Sequence, residues 1–339
     1  MLWRVIFLLF SLANGDTECP YVPISRVNDR RIEQSAVTIM QYNVEWLFVD
    51  YYKSSDCPGN GCSWKNSSEA NTHIEYVSKI IKDINPDIIN LCEVEGCDEL
   101  KLLKDALDST YNPFLKKGKD TSTGQNVGLI TRIDPLVDLY RTEERISYPI
   151  NGSNCGYTGP TDTSGVSKHY ITEYKIGNMN IAFIGVHFVA FPTDSVRCAQ
   201  REAQAQVIQN VVYSYIKKNY EVILLGDFND FDSEVLDANS DKPFSRVLDI
   251  LKGNYGLNKG FFQLQNAAEK IPQSQRFTAW WDSNSNCKST KTEFSMIDHI
   301  LLTPTLREKV IEAYIYQDYE EFCGTYNSDH YPVIIKIAL

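Results

Sequence analysis

Four polar residues, Asn43, Glu93, His187 and Asp227, each stand where a hydrophobic run gives way to a loop. Strand ends are rigid platforms, so side chains placed there can converge on one substrate. Glu93, Asp329 and the amide of Asn43 are hard oxygen donors that suit Mg2+ (or Mn2+/Ca2+), an ion that polarises a phosphoryl oxygen and stabilises developing charge. His187 and His330 supply imidazoles able to act as acid and base near neutral pH, and Asp298 is the carboxylate expected to fix the tautomer of one of them. Asp227 and Asn229 are two apart, so in extended backbone they point to one face and can hold a water or substrate together. These residue types together meet the needs of metal-assisted phosphoester hydrolysis. Singly, Glu93 reads as a surface acid, Asp227 as a turn residue after Gly226, and Asn43 as a cap.

The elements that must position them follow from periodicity. Residues 37–42 are β-branched and partly alternating, which predicts a strand ending at Asn43. A helix is expected over 69–85, with Thr72 and Glu75 at capping-box separation and Pro86 ending the pattern. Residues 87–92 then form a strand that ends at Glu93, 100–107 a short helix, and 127–130 another strand. Residues 141–168, rich in Gly, Ser, Thr and Pro, are expected to be an exposed loop without periodic structure. A hairpin over 171–186 ends at His187, and a helix follows over 199–218. The buried strand 222–225 runs into Asp227, and two more strands cover 298–302 and 331–337. Mixed hairpins and helical crossovers argue for α/β layers whose sheets are not purely parallel.

With 339 residues, 43% of them hydrophobic, the chain can bury a large core, and the spread of its polar motifs over the whole length favours one domain. Residues 1–15 carry Arg4, an apolar run too short to span a bilayer, and small residues ending in Gly15, which predicts a secretory signal cleaved near Gly15. Residues 16–36 then form an N-terminal extension before a domain over 37–339. Nine cysteines suit an oxidising compartment; the Cys57–Cys62 loop is placed to close on itself, and Cys92 reads as a buried thiol. Asn66 and Asn151 begin glycosylation acceptor triplets. A net charge of −11 excludes tight duplex binding through a basic face but not phosphoester chemistry, since bound cations neutralise both carboxylates and substrate. His299 is expected to be structural, pointing away from Asp298. His73, His169 and Arg201 are expected at the solvated surface, and Trp280 and Trp281 at a core edge or rim.

Six blocks in order carry a resemblance. They are Tyr42-Asn43-Val44-Glu45-Trp46-Leu47-Phe48, residues 86–94 ending in Leu91-Cys92-Glu93-Val94, Gly185-Val186-His187-Phe188, Leu225-Gly226-Asp227-Phe228-Asn229-Asp230, Ile297-Asp298-His299-Ile300-Leu301 and Ser328-Asp329-His330-Tyr331-Pro332-Val333. The chain resembles the endonuclease/exonuclease/phosphatase superfamily over about residues 37–337, and most closely its secreted nuclease-type members. The resemblance implies an α/β (α+β) four-layer sandwich of two packed mixed β-sheets flanked by helices. It further implies that Asn43, Glu93 and Asp329 bind or orient a metal, that Asp227 and Asn229 position water and phosphate, and that His187 and His330 form an acid/base pair supported by Asp298. Trp46 and Cys92 depart from the usual pattern, where Asn and Gln are common. DNA or RNA is the expected substrate and a monomer the expected state. A sphingomyelinase-type lipid phosphodiesterase and a catalytically inactive binding member are the rivals; the first needs an exposed apolar hairpin, the second the loss of a motif residue.

Overall fold

The computed structural model describes residue 19 and residues 28–49, 63–319 and 326–339. The signal segment, the Cys57–Cys62 loop and Cys323 lie outside the described residues. Along the chain come β1 (Ala36–Leu47), α1 (Ser67–Ile84), β2 (Ile88–Val94), α2 (Cys97–Leu107), β3 (Asn112–Leu115), β4 (Asn126–Thr131), β5 (Ile146–Tyr148) and β6 (Asp162–Ser164). Then follow β7 (Lys168–Ile176), β8 (Met179–His187), α3 (Ser195–Ile216), β9 (Glu221–Asp227), α4 (Val247–Leu251), β10 (Gln265–Asn266), β11 (Ala279–Trp280) and β12 (Phe294–Ser295). The last elements are β13 (Asp298–Leu302), α5 (Pro304–Glu308), β14 (Val310–Ile315) and β15 (Val333–Ala338).

Two mixed sheets form, ordered β14-β15-β1-β2-β4-β3 and β10-β13-β9-β8-β7. In each, one central pair is parallel, β1 with β2 and β8 with β9, and the remaining pairs are antiparallel. Side chains alternate across a strand, and β1 shows the result. Val37 and Ile39 enter a core shared with Tyr174, Phe183, Ile223 and Ile300 of the second sheet. Met40, Tyr42 and Val44 turn outward onto Ile74, Val77 and Ile81 of α1 and Leu100 and Leu103 of α2. The outer face of the second sheet packs Ala182, Ile184 and Leu224 against Ala203, Val207 and Val212 of α3. This is the expected four-layer sandwich. Gly185 allows the sheets to approach closely, because a Cβ there would lie 2.2 Å from the Asn90 amide oxygen.

Several expectations change. The α1 cap is Asn66, whose side chain accepts from the Ser68 and Glu69 N–H groups, whereas the Thr72 hydroxyl bonds back to Ser68 within the helix. The stretch 141–168 is not structureless. It holds the β5–β6 ribbon, whose three-residue strands are too short to show a period, and the Cys155–Cys198 disulfide ties it to α3. A second disulfide joins Cys19 to Cys97, Cys287 is also disulfide-bonded, and Cys92 is the expected buried thiol. Among the described residues no helix is long and apolar enough to cross a membrane.

Three residues expected at the surface are buried. His73 lies on the apolar stripe of α1, stacked on Trp64, with its ring nitrogens 2.7 and 2.6 Å from the Tyr326 and Val44 carbonyls. Arg201 is fully enclosed and donates to the carbonyls of Val189, Phe191 and Pro192, shaping the loop that leaves β8. The carbonyls that meet both His73 nitrogens and the two Arg201 Nη groups are information that a polarity scale does not hold, although the Arg201 Nε is left without a partner among the described residues. His169 accepts from the Thr142 N–H at 3.0 Å through Nε2, and its buried Nδ1 has no partner among the described residues.

Burial, with the Arg141 charge, pushes His169 down to about 3 from its ordinary 6.5. The unfolded chain therefore binds the extra proton first as pH falls. The stabilisation is complete above about pH 6.5 and has eroded by about 2 kcal/mol at pH 5. Melting temperature should fall over that interval, with a shallower slope in His169→Gln; equal slopes would refute the assignment.

Candidate active site

β1 runs past its expected end to Leu47 and becomes irregular where it matters, with Glu45 and Trp46 at φ 47° and 48°. Glu93 at φ 69° and Asn229 at φ 51° share this left-handed conformation. Such backbone is uncommon for residues with side chains, and four such residues beside one group of polar side chains is a pattern met at functional sites. Gly226, at φ 152°, precedes Asp227 because a Cβ there would meet the Val186 carbonyl oxygen at 1.8 Å.

Asn43 joins the two sheets. Its Nδ2 donates to Glu93 Oε1 of the first sheet and to Asp227 Oδ2 of the second, both at 3.1 Å, while its Oδ1 accepts the Glu45 N–H. The Trp46 N–H donates to the other oxygen of Glu93 at 3.2 Å, so the unexpected Trp contributes backbone to the site. His187 Nε2 stands 3.6 Å from Asp227 Oδ2 and 4.0 Å from Glu93 Oε1. Against the same Asp227, His330 Nδ1 is 2.7 Å from Asp298 Oδ2, and its Nε2 is 3.9 Å from Asp329 Oδ1. All eight expected residues therefore meet in one place. His299, as expected, faces away; its ring meets Asn266 Nδ2 and the Asp230 carbonyl, both at 3.0 Å.

Asn229 does not share an extended face with Asp227. β9 ends at Asp227, the chain turns, and the Asn229 N–H donates to the Asp227 carboxylate at 2.9 Å while its Nδ2 donates to the Phe188 carbonyl. The turn brings the backbone, rather than a neighbouring amide, onto the carboxylate.

The sequence reading missed four contributors. Gln41, two before Asn43 on the same strand face, donates to Asp298 Oδ1 at 3.1 Å and accepts from Asn90, which Tyr170 holds in turn. The alternation rule applied to Asp227 and Asn229 would have found Gln41. Glu45 accepts from the Ser63 hydroxyl at 2.7 Å and the Asp329 N–H at 3.1 Å. Thr278 accepts from the Ile297 and Asp298 N–H groups. Lys168, buried with Gln125 at 3.1 Å, reaches to 3.5 Å from His187 Nε2. Nothing in its local pattern separates this lysine from a surface one.

The electrostatics follow from crowding. Burial and the nearby Asp298 charge push Asp227 up to about 7. Burial brings Asp329 to about 6, and burial with the Asp329 and Glu93 charges holds Glu45 well above the usual carboxylate range. Burial pulls His330 down, but the Asp298 and Asp329 carboxylates outweigh it and keep the ring well above its usual value. His187 moves the opposite way, pushed well below by burial and then by the Lys168 and His330 charges. Two imidazoles in one cavity thus favour opposite protonation states. Among the described residues, no Lys or Arg lies within ion-pair distance of Glu45, Glu93, Asp227 or Asp329. Four crowded carboxylates, Glu45 and Asp227 buried and Glu93 and Asp329 partly exposed, with no Lys or Arg paired to them and His330 as the neighbouring cationic group, fit a divalent metal ion. Asp227, Asp298 and His330 each offer an atom within 4.8 Å of the others, though the Asp298–His330 bond occupies two of the three.

A family model described as the Endonuclease/Exonuclease/phosphatase family matches residues 40–330. The chain belongs to that family. Members of the endonuclease/exonuclease/phosphatase family are hydrolases acting on phosphoester bonds. Truncated TDP2 from Caenorhabditis elegans is similar in fold, with a TM-score of 0.52 and 17% identity over 90% of this chain and 98% of the other. A mannosyl-6-phosphatase from Bacteroides thetaiotaomicron gives a TM-score of 0.54 at 18% identity, over 89% of this chain and 100% of that one. A comparison with curated proteins returns no match.

Proposed function

We propose that the protein is a secreted, Mg2+-dependent phosphodiesterase that cuts nucleic acid. The observation carrying the hydrolytic part is the Asn43 bridge between Glu93 and Asp227, with the Asp298–His330 pair gathered against the same Asp227: oxygen donors for a metal and an acid/base pair in one cluster. Glu93 and Asp329 would hold the cation, with Asn43 orienting the Glu93 and Asp227 carboxylates beside it. When bound, the metal polarises the phosphoryl oxygen and neutralises charge on it. Asp227, ionising near neutrality, takes a proton from the attacking water as its oxygen bonds to phosphorus. His330, kept protonated by Asp298, gives a proton to the oxygen that leaves as the phosphoester bond breaks. His187, kept neutral, accepts from the Lys168 ammonium at Nε2 and so sets that charge near Asp227, and Asn229 fixes Asp227 through its backbone.

The nucleic-acid part rests on Trp281. The Trp280 N–H donates to the Asp329 carbonyl, and β11 bridges His330 through Ala279, so this ribbon borders the site. Trp280 is buried, but Trp281 is 74% exposed. An exposed indole beside a phosphodiester site offers a stacking platform for a base. Its neighbours, from Asp282 to Asn286, are polar, which does not suit insertion into lipid. Secretion is supported by the disulfides Cys19–Cys97 and Cys155–Cys198, which persist in oxidising compartments; one domain over residues 37–339, acting as a monomer, completes the reading.

Incubation with plasmid DNA, single-stranded RNA and sphingomyelin, each with Mg2+ and with chelator, tests this. Cleavage of nucleic acid only with metal is expected, with activity on it reduced about tenfold in Trp281→Ala, the loss of about one stacking contact. Cleavage of sphingomyelin alone would move the substrate to lipid.

A further inference from the structure

The loop between β9 and α4 contains a second cluster of oxygen donors that the hydrolytic reading does not use. Asp237, Asn239 and Asp241 alternate along it. Asp237 is only 4% exposed. Its Oδ1 accepts the N–H groups of Asn239 and Asp241 at 3.1 and 2.9 Å, but its Oδ2 is buried with no hydrogen-bond partner among the described residues. A buried carboxylate oxygen without a donor is rare and costly. Its neighbour does not relieve it while both are ionised: burial, the Asp237 charge and the contact between the two carboxyls push the partly exposed Asp241 up to about 6. Arg276, which donates to the Leu236 carbonyl next in sequence, gives no relief, since its other bonds go to the carbonyls of Ile271 and Glu269.

The other groups of the loop are arranged compatibly. Asn239 donates through Nδ2 to the Lys291 and Phe294 carbonyls, which leaves its amide oxygen available as an acceptor. Gln273 holds the Asp237 carbonyl and the Ser240 hydroxyl. Asp, Asn and Asp at alternate positions reproduce the first three ligand positions of a calcium-binding loop. The sixth position is Lys242 rather than Gly and the twelfth is Leu248 rather than Glu, so the bidentate ligand of the full loop is missing.

We propose that Asp237, Asn239 and Asp241 form a structural calcium site, separate from the catalytic cluster, that pins the loop after Asp227–Asn229 to residues 291–294. All donors are hard oxygens, which selects Ca2+ over zinc, and an irregular set of loop oxygens, rather than an octahedral one, favours Ca2+ over the more demanding Mg2+. With two carboxylates and no bidentate Glu, the affinity falls in the weak class of extracellular modules, with Kd of about 10⁻⁴–10⁻³ M.

The test uses the full chain carrying Glu93→Gln, which disables the catalytic cluster and keeps the two sites apart. CaCl2 is titrated into metal-free protein by calorimetry and thermal melting, with and without Asp241→Asn. Asp241 is partly exposed, so its variant should fold. Ca2+ is expected to bind and raise the melting temperature of the parent, and Asp241→Asn to weaken binding about tenfold or more. Without Ca2+ the order should invert, with Asp241→Asn melting above its parent because a repelling charge has gone. Equal Ca2+ responses in the two proteins would overturn the proposal. So would a parent that ignores Ca2+ but melts higher at pH 5.5, a result that would assign the pair a shared proton.

Discussion

Replacing His330 with alanine is expected to lower kcat/KM for phosphodiester cleavage by about 10²–10⁴-fold while the fold is kept, because the ring belongs to none of the hydrophobic core clusters. Its partner gives a sharper test of mechanism. Asp298 holds the ring at 2.7 Å and is the leading influence raising it against the downward pull of burial. In Asp298→Asn the ring loses its proton at lower pH, so the alkaline limb of the rate profile should move down. Activity should recover partially in acid, as it would not if Asp298 were merely a packing residue. A profile of unchanged shape in Asp298→Asn would remove His330 from the acid role.

Glu93→Gln should abolish metal-dependent activity, a loss of about 10³-fold for several kcal/mol of missing charge stabilisation. Stability should move the other way. Glu93 is one of the charges raising Glu45, Asp227 and Asp329, so its neutralisation relieves repulsion among buried carboxylates. In chelator the variant should melt above the wild type, and Mg2+ should raise only the wild-type melting temperature by way of the catalytic cavity. A variant that melts lower in chelator would show that Glu93 supports the fold rather than the cation.

The residues named from the sequence were those whose type is rare at a strand end: Asn43, Glu93, His187 and Asp227 interrupt apolar runs, and a carboxylate or imidazole there has no structural purpose a strand would supply. The layers were legible for the same reason, because alternation along β1 and helical spacing along α1 are one-dimensional signals. What escaped was set by partners distant in sequence. Gln41 meets Asp298 257 residues away, and Lys168 becomes a site residue only because β7 pairs with β8 in the register Lys168↔His187. His73, His169 and Arg201 were placed at the surface because a polar side chain advertises its cost of burial and not the carbonyls that meet it. Asn229 failed differently: the period-two argument holds only while the strand lasts, and β9 ends two residues earlier.

Gln41, Asn90 and Tyr170 form a hydrogen-bonded chain through the packed interior, against a glycine at 185 that tolerates no larger side chain. The clustered polar groups are therefore braced by the seam of the sandwich, while the ribbon carrying Trp281, the surface proposed to meet a substrate, hangs on loops outside it. Heritable change is partitioned accordingly. Loops can drift and acquire new substrates at small cost, whereas a substitution along the seam alters the chemistry and the stability at once, so lineages of this protein should diversify in what they cut long before they alter how they cut it.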